Sequence, residues 1–317
     1  MILAASWDGE RLSPAARELL AAAARLGEAL GAGVAFASLG GAEPAAESGG
    51  YGVVHAFAFE GDLAQSGCEV SLAALAELGR ELGARAVLMA ADERTAELAP
   101  RLAERLGGAA VLSATGVDAR DGRAVLRKPV FGGKAVAELT ALVEPVVVTL
   151  RRGVAEAPEP SGAPAPVSTR PAPAVDGAVE LLQREVPTGG SSLEDAKVIV
   201  SGGAGLGDAA AFAQLEDLAG LLGGAVGASL AAVDAGWAPP DRQIGLTGKS
   251  VGPDVYFALG ISGASQHLSG IADAKAVVAV NNDPDAPIFS SAKLGVVMDC
   301  RTFVAALADE LRRTRAS

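Results

Sequence analysis

Between Lys197 and Met298 the chain carries five short apolar runs: Lys197–Val200, Ala225–Ala228, Val255–Gly260, Ala276–Val280 and Gly295–Met298. Runs this short and this continuously apolar suit parallel strands buried on both faces. Helical patterns at Ala209–Leu222, Gln266–Ile271 and Thr302–Arg313 fall between or after them. Strand alternating with helix predicts an open doubly wound sheet, in which a ligand sits beyond the carboxyl ends of the strands. The glycine-rich and polar motifs of this region all lie at such ends.

The first 150 residues show the same alternation of strand and helix. Ile2–Ser6 reads as a strand, and Ser13-Pro14 opens a helix that ends near Leu30, with Gly31 after it. Val34–Leu39, Gly52–Phe57, Ala86–Ala90 and Ala109–Leu112 read as strands, Ser71–Leu82 and Glu97–Leu106 as helices. Arg123–Lys128 and Pro145–Leu150 are expected to finish this sheet with an antiparallel edge. From Gly153 to Pro173 the composition turns to Pro, Ala and Ser, which excludes helix and central strand and predicts a linker, or an extended arm lying on a partner. Gly177–Val186 is compatible with a crossing strand or helix, and Pro187–Ser192 breaks the chain again. The organisation expected is a first domain over 1–152, a connecting segment over 153–192 and a second domain over 193–317.

Composition narrows the function classes. A net charge of −12 argues against nucleic acid or an anionic membrane as the main partner, because neither phosphate surface attracts an acidic protein. Two cysteines, Cys68 and Cys300, are too few for a disulfide framework or a zinc site. No basic stretch followed by an apolar run opens the chain, and no long uncharged apolar run follows, so a cytoplasmic protein without a membrane span is expected. No Ser-His-Asp set, zinc spacing or CxxC occurs, and with only two histidines hydrolysis has little support. This poverty of catalytic side chains suits a carrier whose cofactor does the chemistry.

Five motifs stand at the strand ends: Ser201-Gly-Gly-Ala-Gly205, Gly227-Ala-Ser-Leu-Ala-Ala-Val-Asp-Ala-Gly236, Gln243-Ile-Gly-Leu-Thr-Gly-Lys249, Ser262-Gly-Ala-Ser-Gln-His-Leu-Ser-Gly270 and Asn281-Asn-Asp-Pro-Asp-Ala-Pro-Ile-Phe289. The first is either a plain strand-to-helix turn or a place where backbone amides approach a phosphate or ring. It is not a P-loop, since no Gly-Lys-Ser/Thr follows, and it lacks the acidic residue of the dinucleotide fingerprint. Thr247 is a turn-capping residue or a hydroxyl for a ring nitrogen. His267 is structural or a hydrogen-bonding group for a ligand, and His55 is structural. Asn281 and Asp299, at adjacent strand ends, either cap the following segments or take the hydroxyls of a ribose.

Taken in order, the five motifs resemble the FAD-binding domain of the electron transfer flavoprotein alpha subunit, closely over about the last 120 residues and loosely over the rest. The resemblance implies an α/β chain, with an N-terminal nucleotide-hydrolase-like parallel-sheet domain and a C-terminal doubly wound FAD-binding domain. It implies FAD as cofactor and a beta subunit as heterodimer partner, with electrons passing between a flavin dehydrogenase donor and an acceptor oxidoreductase. It places Thr247 against flavin N5, His267 at flavin O2, and Asn281 and Asp299 at the adenosine half. Ser229, Ile244, Gly245, Leu246, Ser262, Gly263, Ala264, Ser265, Gln266 and Cys300 complete the implied cofactor-binding set, with no catalytic residue and no metal ligand. Such a chain is an electron carrier rather than a catalyst with a substrate of its own.

The match breaks selectively. Ala204 and Leu230 stand where the family usually has arginines near the flavin, Leu246 replaces a glutamine, and Ser265 replaces an apolar residue. A cation about 5 Å from a flavin anion, at an effective dielectric near 20, is worth on the order of 3 kcal/mol. That is roughly 140 mV for a one-electron couple, and solvent and His267 reduce it. A carrier of lowered flavin potential is therefore expected. The alternative is a degenerate subunit that binds nucleotide or a partner without passing electrons.

Overall fold

The computed structural model describes residues 1–61, 63–131, 133, 135–175, 193–194 and 196–316. They fall into two compact units, Met1–Val186 and Pro187–Ser317. The stretch expected as a crossing element, Gly177–Val186, and the break at Pro187–Ser192 lie outside the described residues.

The first unit opens with β1 (Ile2–Ser6), α1 (Pro14–Leu30), β2 (Val34–Ser38), α2 (Ala42–Glu47), β3 (Val53–Phe59), α3 (Cys68–Glu81), β4 (Ala86–Ala90) and α4 (Glu93–Leu106). It continues through β5 (Ala109–Ala114), β6 (Gly116–Arg120), β7 (Arg123–Val130), β8 (Ala135–Thr140), β9 (Val146–Leu150) and β10 (Val167–Arg170). Local chemistry explains the helix ends. Ser13 Oγ accepts from Ala16 N–H at the start of α1, and Gly31 closes it at φ 62°, in the left-handed region that glycine adopts freely. Asp92 and Thr95 form a reciprocal capping box that starts α4 at Glu93, four residues earlier than the sequence pattern predicts. Helix α3 likewise begins at Cys68 rather than at Ser71, whose hydroxyl instead accepts from the Trp7 indole N–H.

Seven strands pair in the order β10-β3-β2-β1-β4-β9-β5, all parallel. Two expectations are corrected here. Among the described residues the sheet has no antiparallel edge: β9 lies inside it, between β4 and β5, and β7 belongs to a separate antiparallel sheet of β6, β7 and β8. The proline-rich arm also does not stay free of its own unit, because Val167–Arg170 adds a parallel edge strand to β3. Proline is compatible with an edge because it need not donate to the ladder. Arg170 fixes the arm by a two-point pairing with Glu81 at 2.6 and 2.7 Å and by lying 4.7 Å over the Phe57 ring. Alternate residues of β1 feed opposite faces, Ile2 and Ala4 one core and Leu3 and Ala5 the other.

The second unit contains β11 (Val198–Gly202), α5 (Ala209–Leu222), β12 (Ala225–Ala228), α6 (Leu230–Asp234), β13 (Val255–Leu259), α7 (Ser265–Gly270), β14 (Val277–Asn281), β15 (Leu294–Val297) and α8 (Cys300–Ala316). Its strands pair in parallel in the order β12-β11-β13-β14-β15. The order reverses between β11 and β13, which is where a doubly wound sheet opens a crevice at its carboxyl edge. Both faces are packed, with Val200 and Leu259 in one core and Ile199, Tyr256 and Ala258 in the other. Among the described residues no helix is long and apolar enough to cross a membrane.

Replacing Arg170 by Ala should release the arm while leaving the seven-stranded sheet folded. Limited digestion with subtilisin should then cleave within residues 153–173 several-fold faster. Unchanged cleavage with unchanged thermal unfolding would show that Arg170 does not hold the arm.

Candidate functional site

The carboxyl edge of the second sheet begins with a backbone-to-backbone contact. Gly203 N–H donates to Leu259 O at 2.9 Å and Gly205 N–H to Gly260 O at 2.9 Å, so the loop after β11 lies directly on the loop after β13. A Cβ on Gly203 would stand 2.3 Å from Gly260 O, and one on Gly205 2.8 Å from Gly260 Cα. These glycines are therefore required by loop packing, and the two amides are spent on carbonyls rather than left for a phosphate. Of the two sequence readings of this motif, the turn describes it better.

The Gln243–Lys249 loop leaves the sheet beside β12. Ile244 N–H donates to Ala228 O at 2.9 Å and Lys249 N–H to Gln243 O at 2.8 Å, which folds the loop back on itself. Gln243 Nε2 donates to Thr247 Oγ1 at 2.9 Å, so a buried residue holds the exposed threonine in place. Leu246 N–H donates to Gln266 O at 2.8 Å and joins the loop to α7. Gly270 makes this approach possible, since a Cβ there would stand 2.5 Å from Gly245 N. Leu246 is 70% exposed, a large apolar side chain standing in solvent at the joint.

Helix α7 follows from Ser262–Ala264, in which Gly263 takes φ 86° and its place against Ile288 leaves no room for a Cβ. Ser262, Ala264, Ser265 and Gln266 are exposed, and no side chain caps the helix start. The first amides of an uncapped helix point outward with a partial positive charge. His267 is turned the other way. It is buried, its Nε2 lies 2.9 Å from the Tyr256 hydroxyl, and its Nδ1 is buried without a hydrogen bond. Burial pushes its pKa down to about 4, with the Ile244 backbone as the opposing neighbour. Burial likewise raises the Tyr256 phenol, with the Ser201 hydroxyl as the opposing neighbour.

Asn281 and Asp299 are already engaged within the chain. Asn281 Nδ2 donates to Ile261 O at 3.0 Å while its Oδ1 accepts from Asp283 N–H at 3.0 Å, tying the ends of β13 and β14 together. Asp299 Oδ1 accepts from the Thr302 N–H at 2.8 Å and hydroxyl at 2.9 Å, which caps α8 and holds the carboxyl below its ordinary range. The helix therefore starts at Cys300, two residues before the predicted Thr302. Cys300 is buried with Sγ 3.5 Å from Gly205 O, and burial pushes its thiol up. Ser229 caps α6, so its hydroxyl too has a local role.

The structure thus gathers Leu246, Thr247, Gln266 and the buried His267 around one joint between loop and helix. Ser229, Asn281, Asp299 and Cys300 brace neighbouring strand ends. Sequence reasoning missed Tyr256 and Arg301. Tyr256 could have been found as the one polar tip in the apolar run Val255–Leu259. Arg301 could have been found as a cation in the first turn of a helix, where the macrodipole disfavours it. It is held there by Leu206 O at 2.6 Å and by Asp208 at 3.1 Å. Among the described residues no group of three or more His, Cys, Asp or Glu could hold a metal ion.

A doubly wound sheet with an uncapped helix start, exposed hydroxyl and amide groups and a buried unpartnered imidazole nitrogen at its carboxyl edge is the frame of a nucleotide-cofactor-binding α/β protein. The electron transfer flavoprotein FAD-binding domain family matches residues 192–272, and the electron transfer flavoprotein domain family matches residues 1–175. The electron transfer flavoprotein subunit alpha of Mycobacterium leprae is 44% identical over 241 residues, covering 75% of this chain and 74% of its own. That of Syntrophomonas wolfei is 36% identical over 266 residues, covering 83% and 84%. That of Mycobacterium tuberculosis is 41% identical over 230 residues, covering 72% and 70%. The chain belongs to the electron transfer flavoprotein alpha subunit family. Its role is electron transfer and its cofactor is FAD. Asn281, Asp299 and Cys300 lie beyond the matched 192–272 stretch.

The buried imidazole makes stability depend on pH in a defined direction. Its folded pKa of about 4 lies below the ordinary 6.5, so between these values the unfolded chain binds the extra proton. Stability of the second unit should be flat above about pH 6.5 and fall toward pH 4, by about 3 kcal/mol at most. Thermal unfolding followed by Trp237 fluorescence in a Trp7→Phe background measures this. His267→Gln should flatten the profile, and an unaltered slope would place the titrating group elsewhere.

Proposed function

We propose that the chain carries electrons on FAD as half of a cytoplasmic heterodimer with an electron transfer flavoprotein beta subunit, between a flavin dehydrogenase donor and an acceptor oxidoreductase. The observation that carries this reading is the joint at Leu246 N–H and Gln266 O, which sets an exposed hydroxyl-and-amide surface beside the unpartnered Nδ1 of His267. FAD, when bound, supplies the redox chemistry, and the protein binds, orients and shields it. In this reading Ser262–His267 and Ile244–Thr247 hold the ring and pyrophosphate, with the α7 amides as donors. Asn281 and Asp299 serve the adenosine half. A carboxylate accepts more bonds than the α8 cap uses, so the cap and a ribose contact are compatible. Ser229 and Cys300 keep the strand ends in register around them.

The exposed surface of the first unit supports a protein partner. On and beside the small antiparallel sheet, Phe131 is 82% exposed, Leu142 79% and Val136 61%, with Val143 also exposed. Phe131 and Val136 stand at one end of the β7–β8 pair and Leu142 and Val143 follow the other, so exposed apolar side chains occur along its whole length, more than isolated surface residues require. The double variant Val136→Lys, Leu142→Asp should fold normally and bind the beta subunit at least tenfold more weakly in sedimentation titrations. Undiminished binding would move the interface elsewhere.

The lowered potential also finds support at the carboxyl edge. Ala204 and Leu230 are both exposed, at the ends of neighbouring strands β11 and β12. Three cations of this unit, Arg301, Lys249 and Arg242, are paired with Asp208, Glu194 and Glu216. Leu230→Arg should therefore raise the flavin midpoint potential of the heterodimer, by up to roughly 140 mV. Spectroelectrochemical titration tests this, and a potential unmoved by the substitution contradicts the electrostatic reading.

A further inference from the structure

We propose that Tyr256 is a positioning residue for the cofactor: its hydroxyl donates to Nε2 of His267, locks the imidazole in the tautomer protonated on Nδ1, and so makes Nδ1–H the group that the flavin meets. This rests on the assignment of His267 to the FAD site.

The geometry is a chain of buried polar groups in an apolar setting. Tyr256 is fully buried in β13, between β11 and β14, and its hydroxyl lies 2.9 Å from His267 Nε2. At the two ends of the chain stand the atoms without partners, the fully buried Ser201 Oγ and His267 Nδ1. A neutral imidazole has one donor and one acceptor nitrogen, so the partner of one nitrogen decides the state of the other. Two arrangements are possible. Either Tyr256 donates to Nε2 and the ring proton sits on Nδ1, or Nε2–H donates to the phenol oxygen and Nδ1 carries a lone pair.

Acidity chooses between them. A phenol O–H is far more acidic than a neutral imidazole N–H, and an imidazole nitrogen is far more basic than a phenol oxygen, so across the 2.9 Å contact the hydroxyl donates to Nε2. With Nε2 accepting from Tyr256, the ring proton of the neutral imidazole sits on Nδ1. Burial keeps both rings neutral, with His267 at about 4, so neither a phenolate nor an imidazolium competes. The consequence for the site is direct. A preorganised N–H stabilises negative charge that collects on a reduced flavin ring, whereas a lone pair in its place would oppose it.

The test uses the full chain with its beta partner, only this chain carrying ¹⁵N-labelled histidine. The chain has two histidines, so a His267→Gln variant assigns the spectrum, and His55 serves as an internal reference for folding. In the FAD-free complex the expected spectrum shows His267 with Nδ1 protonated and Nε2 unprotonated. Tyr256→Phe should populate the Nε2–H tautomer and, in the FAD-loaded complex, lower the flavin midpoint potential, with the His55 signals unmoved. Nε2 protonated in the unaltered chain overturns the proposal, and this result needs no variant to fold. A tautomer unchanged by Tyr256→Phe overturns it as well. Added FAD should shift the Nδ1 resonance. A proton moved to Nε2 on FAD binding would refute the lock while keeping His267 at the cofactor. Neither resonance moving would remove His267 from the FAD site and with it the cofactor half of the proposal.

Discussion

The carboxyl edge of the second unit depends on a place where no side chain can stand. Gly203 and Gly205 lie against Gly260 so closely that a Cβ on either of the first two would overlap the backbone of the Gly260 loop. Two amide-to-carbonyl bonds of 2.9 Å each then replace side-chain packing and bring the loop after β11 onto the loop after β13. Because β11 and β13 are neighbours at the point where strand order reverses, this contact sets the floor of the crevice. The arrangement costs backbone entropy that glycine loses on folding. What it provides is a closely packed floor beside which longer, more exposed segments are ordered.

Those segments are braced by polar groups that serve structure and site together. Gln243 holds Thr247, Asn281 ties two strand ends, and Asp299 caps α8. Each is a buried or terminal hydrogen bond whose loss would leave an unpaired group, which is why such side chains can be rigid without being catalytic. A flavin carrier needs that rigidity more than it needs acids or bases, since the cofactor brings the reactive atoms. The imidazole of His267 fits the same logic. It is neutral, buried and held from behind.

Much of the fold was legible because its signals are local. Ser13, Pro14 and Gly31 mark both ends of α1, and the limits of β1, β4 and α5 agree with the apolar and helical patterns. What the pattern could not tell was partnership between distant segments. Arg123–Val130 has the alternation of a strand, but nothing near it says that it pairs with β6 and β8 instead of closing the main sheet. The edge strand Val167–Arg170 hides in a proline-rich stretch because its pairing is supplied by β3 and its anchor by Glu81, each about 90 residues or more away. In the site, the places of the motifs at strand ends were legible, whereas the use of each amide was not. The glycine loop after β11 looks like a phosphate cradle until its donors are traced to Leu259 and Gly260.

The central claim is that FAD sits at this one edge, against the Gln243–Lys249 loop and the start of α7. Hydrogen exchange of the complex with its beta subunit, compared with and without FAD, locates the ligand without any substitution. FAD should slow exchange in residues 244–247 and 262–268, extend to residues 281–282 and 299–301, and leave the seven-stranded sheet of the first unit unchanged. Protection confined to the first unit, or none at 244–247 and 262–268, would contradict the account.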